Sequence, residues 1–171
     1  MTFRTILINF VRFCLFIFLQ VLIFNNINLG GYINPYFYIY FILLLPFATP
    51  EWLLLIVSFT IGMCIDLFTN TPGLNAAACT VMGFARPFVI KWISYGTESL
   101  IGNRPSLRRQ GVTWFLYYVV SLTLVHHFML FYLEVFRLRE FGETFVRVIL
   151  SNMFTLVLIL ISEYLFFSRE K

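Results

Sequence analysis

The sequence predicts an all-α integral membrane protein with about six transmembrane helices in one bundle. Three observations support this fold class. Of the 171 residues, 60% are hydrophobic and only 12% are charged, whereas soluble domains are about 25% charged. The apolar residues form long uninterrupted runs, whereas the strands of a membrane barrel would alternate in polarity. Because a backbone inside lipid must satisfy its own hydrogen bonds, such runs are expected to be helices.

The first helix is predicted at residues 5–24, within a single integral membrane domain that spans 1–171. A cationic start precedes it, as in a signal peptide. The apolar run is too long for a signal peptide, however, and no small-residue cleavage site follows it. We therefore expect an uncleaved membrane helix, followed by a turn that contains Gly30-Gly31 and Asn34-Pro35.

The second predicted helix, residues 32–48, has the minimum length for a span. Its about seventeen residues lie at the lower limit for crossing a bilayer. Tyrosines at positions 32, 36, 38 and 40 are typical of an aromatic belt at the membrane surface. We predict a short span here, and a re-entrant segment is the alternative.

Four more helices are predicted, at residues 52–68, 74–93, 112–136 and 145–167. The distribution of Lys and Arg between the loops predicts their orientation. With a cytoplasmic N-terminus and six spans, the inside segments hold Arg4, Lys91, Arg104, Arg108, Arg109, Arg169 and Lys171, and the outside segments hold Arg137, Arg139 and Arg147. Both termini are therefore expected in the cytoplasm. The basic loop is a topology signal near lipid headgroups, and nucleic-acid binding is not predicted.

Three charged residues lie inside predicted helices near the cytoplasmic face: Arg12, Arg86 and Glu163. One interpretation is that all three extend their charged ends to the headgroups. The other is an internal ion pair of Glu163 with Arg12 or Arg86, since a buried acid needs a partner. Unchanged levels of folded Glu163→Gln protein would contradict the ion pair.

A fourth charge, Asp66, ends the third predicted helix just before a short polar turn. The turn, residues 69–73, contains the Asn, Pro and Gly that a reversal between two helices needs. Asp66 is expected to accept hydrogen bonds from Thr71, Asn75 or the free N–H groups that open the fourth helix. A direct contact with a substrate or partner is the alternative role.

The chemistry-bearing residues do not form a recognisable catalytic or metal-binding pattern. His126 and His127 are adjacent, so on a helix they point about 100° apart and cannot chelate one ion together. The three cysteines, Cys14, Cys64 and Cys79, lie in apolar runs without a CxxC pair. Paired carboxylates, a nucleophile beside a base and a Gly-rich phosphate loop are also missing from the sequence. We therefore predict no enzyme activity, cofactor or metal site.

The run GMCIDLFTNTPGLNA, from Gly62 to Ala76, resembles the GxxxDL…GxxA stretch of the rod shape-determining protein MreD family. Pro46, which closes the preceding apolar segment, the overall length and the cationic first helix add to the resemblance. The resemblance implies a multi-pass protein of the bacterial cytoplasmic membrane. It also implies a six-helix bundle similar to the substrate-binding subunit of energy-coupling-factor vitamin transporters.

The function implied by the resemblance is that of a non-catalytic scaffold in the cell-elongation complex, which supports lateral peptidoglycan synthesis and rod shape. The implied partner is an MreC-like single-span protein, and through it the elongation glycosyltransferase and transpeptidase. Three residues match the family pattern. Gly62 would allow close helix packing, Gly73 would supply a turn with positive φ, and Asp66 would hold the mouth of the hairpin.

The alternative function is that of a substrate-binding membrane subunit of a vitamin-type transporter. It requires a polar pocket that opens to the outside and an Ala-xxx-Ala patch on the first helix. Residues 5–24 contain no alanine. A scaffold would instead offer a stripe of small residues to a partner helix, and the fourth helix carries Ala76, Ala77, Cys79, Thr80 and Gly83. Packing inside the bundle explains the same stripe equally well.

Overall fold

The computed structural model describes residues 3–27, 34–94, 104–135 and 141–167, and within these ranges all the regular structure is helical. The long helices are α1 (Phe3–Leu22), α3 (Glu51–Thr69), α4 (Leu74–Ile93), α6 (Val112–Val135) and α7 (Phe141–Ser162). Two short α-helices complete the set, α2 (Tyr40–Leu44) and α5 (Leu107–Gln110). Two 3₁₀ turns are present: Phe24–Asn26 follows α1, and Phe37–Ile39 precedes α2. A π-helical turn, Glu163–Phe167, extends α7. In the part of the chain that the structure describes, five helices are long and apolar enough to cross a membrane. The chain is therefore a multi-pass membrane protein.

The helix predicted at 32–48 does not form a continuous span, so the count of six spanning helices is not confirmed. Among the described residues of this range, the helix covers only 37–44, about 12–14 Å, against about 30 Å of hydrocarbon. Pro35 and Pro46 lie on either side of it. Leu45 has φ −58° and ψ 143°, the extended conformation that a following proline favours, so the helix ends there.

Residues 34–50, here called the core segment, pass through the middle of the bundle. Every side chain from Phe37 to Leu45 is buried. The start of the segment borders Gln20 and Asn75, and its end borders Arg86 and the last turn of α4. The segment therefore connects opposite ends of the bundle and is surrounded by the other helices. Irregular backbone at membrane depth is tolerated in such a place because protein, and not lipid, surrounds it.

The bundle has two ends, which we name after the charged residues near them. The Asp66 end holds the ends of α1, α3 and α6 and the starts of α4 and α7, and the opposite end is the Arg86 end. The start of α1 borders Thr49 and Leu53 at the Arg86 end. The end of α7 lies there too, because Glu163 accepts a hydrogen bond from the Leu107 N–H. The first and last described helices thus have their outer ends on one side.

The outer surface of the long helices is strongly apolar. Large side chains such as Phe10, Phe59 and Phe88 are exposed along α1, α3 and α4. Exposed apolar area on this scale is not compatible with a water-soluble monomer. It is the surface expected of helices that face lipid.

Candidate functional site

The Asp66 carboxylate caps the start of α4 with both of its oxygens. Oδ1 accepts hydrogen bonds from the Thr71 hydroxyl at 2.7 Å, the Asn75 N–H at 3.0 Å and the Asn75 side-chain amide at 2.9 Å. Oδ2 accepts the Ala76 N–H at 2.9 Å. These donors include those anticipated from the sequence. The buried negative charge therefore lies where a helix has free N–H groups and the positive end of its dipole.

Gly62 allows α3 to approach α4 closely enough for this cap. A Cβ atom at Gly62 would lie 2.5 Å from the Ala76 Cα and 2.5 Å from the Asn75 carbonyl oxygen. The turn between the helices uses two left-handed residues, Asn70 with φ 55° and Gly73 with φ 80°. Such values suit Gly and are tolerated by Asn. The sequence pattern from Gly62 to Ala76 thus corresponds to one tight helical hairpin.

A chain of buried polar groups runs from the cap into the core. The Tyr38 hydroxyl donates to Asn75 Oδ1 at 2.8 Å, and its oxygen lies 2.9 Å from His126 Nε2. The Asn75 amide nitrogen donates to Asp66 and Thr71, so its Oδ1 is the acceptor for Tyr38. The phenol oxygen must then accept from His126, which assigns the proton to Nε2. The hairpin is thereby connected to the core segment and to α6.

His127 binds one partner on its own helix, α6, and one on α7. Its Nδ1 lies 2.7 Å from the Thr123 carbonyl oxygen, and its Nε2 lies 3.3 Å from the Thr155 hydroxyl. Both histidines are fully buried in the bundle. Within the described ranges, no cluster of three or more His, Cys, Asp or Glu residues is suited to hold a metal. Hydrogen bonds of the histidine pair connect α6 to the core segment and to α7.

Gln20 of α1 holds the start of the core segment. Its Oε1 accepts the N–H groups of Phe37 at 2.8 Å and Tyr38 at 3.2 Å. Its Nε2 donates to the Pro35 carbonyl at 2.8 Å and to Asn25 at 2.9 Å. These are the backbone groups that an interrupted helix leaves without internal partners. Sequence reasoning did not identify Gln20 as a functional residue, and a single Gln in an apolar helix was the available signal.

Arg86 of α4 holds the other end of the core segment. Its Nε donates to the Tyr118 hydroxyl at 2.7 Å, and its Nη2 donates to the Leu45 carbonyl. Tyr118 in turn donates to the Leu43 carbonyl at 3.0 Å. Arg86 is only 2% exposed, so its guanidinium is held inside the protein and does not extend along the lipid-facing surface. Arg86 and Tyr118 together provide donors for the Leu45 and Leu43 carbonyl groups, which lie at the end of α2 where helical N–H partners are missing.

Glu163 binds the core segment from the side of α7. The Tyr40 hydroxyl donates to its Oε2, and the Leu107 N–H donates to its Oε1 at 3.0 Å. Among the described contacts, Glu163 and Arg86 thus bind different partners, and their predicted ion pair is not formed. Arg12, half-buried on α1, lies close enough to Tyr40 for its charge to act on that residue. The structure therefore places Arg12 and Glu163 around one core tyrosine.

A polar cavity of about 200 Å³ opens at the Asp66 end. Uncharged residues line it: Gln20, Phe24, Asn25, Asn34, Pro35, Tyr36, Ile65, Thr69, Thr71 and Asn75. The irregular backbone at the start of the core segment forms part of its wall. Its volume is below the about 300–1,000 Å³ that is usual for pockets that bind small molecules.

Comparison with protein-family models, curated proteins and solved structures finds no match to this chain. The role of these residues is therefore inferred from their chemistry and geometry. Membership of the MreD family stays a prediction. What the geometry provides is a rigid capped hairpin, a buried core segment held by side chains from four helices, and a small polar cavity beside them.

Proposed function

We propose that this protein is a non-catalytic membrane scaffold of the bacterial cell-elongation complex. It lies in the cytoplasmic membrane, binds an MreC-like single-span protein and supports lateral peptidoglycan synthesis and rod shape. One observation carries the proposal. The residues that resemble the MreD pattern, Gly62, Asp66 and Gly73, are those that build the tight α3–α4 hairpin. These three residues stabilise a rigid hairpin, as expected for a protein that offers a fixed surface to a partner.

The partner surface of this scaffold lies on the outer face of the hairpin. Most of the stripe of small residues on α4 faces inward, because Ala76, Cys79 and Gly83 are buried inside the bundle and Ala77 and Thr80 are half-buried. A Cβ at Gly83 would meet the Ser58 side chain of α3. The exposed apolar faces of α3 and α4, which include Phe59 and Phe84, are the surfaces left for a partner helix.

Asp66 variants test the proposal by co-purification in mild detergent. The wild type is expected to retain the MreC-like protein. Asp66→Ala removes the cap, at a cost of about 0.5–2 kcal/mol, and we expect less folded protein and less partner. Asp66→Asn keeps one capping oxygen but loses the other acceptor, so we expect an intermediate loss of folded protein and partner. Glu143→Gln, which removes an exposed carboxylate in the first turn of α7, is the matched control.

Two outcomes would change this interpretation. Absence of an MreC-like protein from the wild-type preparation would contradict the scaffold proposal. Complete loss of the partner from an Asp66→Asn protein that melts like the wild type would instead show that the Asp66 charge contacts the partner directly, because the hairpin would still be folded.

We further propose that the Arg86 end faces the cytoplasm, with both termini on that side. Arg137, Arg139, Arg169 and Lys171 lie outside the described residues. Of the described cations that gave the orientation, all but Arg147 belong to this end: Arg4, Lys91, Arg104, Arg108 and Arg109. This distribution fits the positive-inside rule. A cysteine placed at Pro72 is expected to react with a membrane-impermeant maleimide in spheroplasts. A cysteine at Arg109 is expected to react only after permeabilisation, and the unmodified protein measures the background from native cysteines. The reverse pattern would invert the orientation.

The second candidate function is the substrate-binding subunit of a vitamin-type transporter. The polar cavity at the Asp66 end favours it, because that function needs a polar pocket on the outer side. The cavity volume and the lack of alanine in α1 favour the scaffold. Mass spectrometry of the denatured, purified protein distinguishes the two. A small molecule released in one-to-one amount would support the transporter subunit.

A further inference from the structure

A second cavity, of about 180 Å³, lies at the Arg86 end between the start of α3 and the last turns of α4. Its polar wall contains Thr49, Glu51, Arg86 and Lys91. Its remaining wall is apolar and includes Leu54 and Ile90. The cavity has the volume of about six water molecules at about 30 Å³ each. The cavity therefore has room for a small charged group beside an apolar surface.

Two tryptophans place this cavity at the level of the lipid headgroups. Trp52 follows Glu51 directly and is 64% exposed, and Trp92 follows Lys91 directly and is 69% exposed. Tryptophan is enriched at the membrane–water interface, where its apolar ring and its N–H group are both accommodated. The ends of α3 and α4 that line the cavity are therefore interfacial.

The charges around the cavity favour an anion. Two cationic side chains, Arg86 and Lys91, line it together with one carboxylate, Glu51. Arg86 is held in place by Tyr118 and Leu45, which accept two of its five N–H groups. Both cations line the space from α4, the guanidinium buried and the lysine exposed. Such an arrangement recognises phosphate, because guanidinium and ammonium groups both form charge-assisted hydrogen bonds with its oxygens.

We propose that this cavity binds the phosphate group of an anionic phospholipid from the adjacent leaflet. Lys91 and Arg86 contact the phosphate, and the apolar wall receives the glycerol and the first part of the acyl chains. Free phosphate could form the same hydrogen bonds with the two cations, but it has no apolar group to contact the apolar wall. The structure therefore favours the lipid. The net positive lining favours an anionic lipid over a zwitterionic one. The site is independent of the scaffold proposal.

The test uses native mass spectrometry of the purified full chain in detergent. The probes are dioleoyl phosphatidylglycerol and dioleoyl phosphatidylcholine. We expect tighter binding of phosphatidylglycerol, and about a fivefold loss of that binding in Lys91→Gln, the effect of one cation near a membrane surface. Arg4→Gln removes a cation at the same end that does not line the cavity, and it is expected to leave the affinity unchanged. Glu51→Gln is expected to tighten binding, because it removes the acid from the wall.

Each alternative result would overturn the assignment. Equal binding of the two lipids would exclude recognition of an anionic lipid. An equal loss of phosphatidylglycerol binding in Arg4→Gln and Lys91→Gln would show that the overall charge of the protein, and not the cavity, determines the affinity. Displacement of phosphatidylglycerol by millimolar sodium phosphate alone would show a free-phosphate site. Should Lys91→Gln fail to fold, the opposite shift expected for Glu51→Gln still decides the question.

Discussion

Gly62→Ala is expected to lower the melting temperature of the purified protein sharply. The new methyl group would lie 2.5 Å from the Ala76 Cα and from the Asn75 carbonyl oxygen. These are backbone atoms, which cannot rotate away as a side chain can. Overpacking of a core costs about 1–3 kcal/mol and occasionally more. We expect the upper part of that range, because the Asp66 cap on Ala76 depends on the same close approach.

Two other glycines serve as controls for Gly62. A Cβ at Gly142 would meet no atom within 4 Å, so Gly142→Ala is expected to be neutral or to stabilise by up to about 1 kcal/mol through helix propensity. Gly73 also has open space but a φ of 80°. Gly73→Ala is therefore expected to cost about 1–2 kcal/mol from backbone strain alone. A Gly62→Ala protein that melts like the wild type would show that α3 and α4 do not pack this closely.

The α3–α4 hairpin was predictable because its interactions are local in sequence. The donors to Asp66 lie between five and ten residues away. The turn uses Asn and Gly at its two left-handed positions. A carboxylate, turn residues and small residues in one short stretch are sufficient to predict a capped reversal. The predicted bounds of α4, 74–93, agree with the structure for the same reason.

The core segment could not be predicted because its partners are distant in sequence. Leu45 binds Arg86 across 41 residues, Leu43 binds Tyr118 across 75, and Tyr36 binds Thr155 across 119. A rule based on the length of an apolar run cannot detect such contacts. It treats the run between two prolines as a short span, although the backbone there is irregular and surrounded by protein.

The buried charge of Arg86 illustrates the same point. From the sequence, Arg86 was expected to pair with an acid or to extend to the headgroups. In the structure it donates to the Leu45 carbonyl at the end of an interrupted helix. Interrupted helices leave carbonyl groups that need donors in a medium without water. A buried arginine in a membrane helix can therefore serve as a donor to unpaired backbone carbonyl groups, and it does not require an acidic partner.

Gln20→Leu is expected to destabilise the protein by at least about 3 kcal/mol. The leucine has a similar volume but cannot bind the core segment. The N–H groups of Phe37 and Tyr38 and the carbonyl of Pro35 would then lose their partner in the bundle interior. Each unsatisfied buried group costs about 1–3 kcal/mol. Thermal melting in detergent and the yield of monodisperse protein measure the loss.

Asn9→Leu makes the same type of change on the same helix and is the matched control. Asn9 lines an open groove between α1, the core segment and α3, so an apolar side chain there is expected to be neutral or stabilising in lipid. Gln20→Glu keeps an acceptor for Phe37 and Tyr38 but loses the donor to Pro35, and an intermediate loss is expected. Equal melting temperatures for Gln20→Leu and Asn9→Leu would mean that the core segment does not depend on α1. A selective loss in Gln20→Leu would show that a single amide replaces the hydrogen bonds that the interrupted helix lacks.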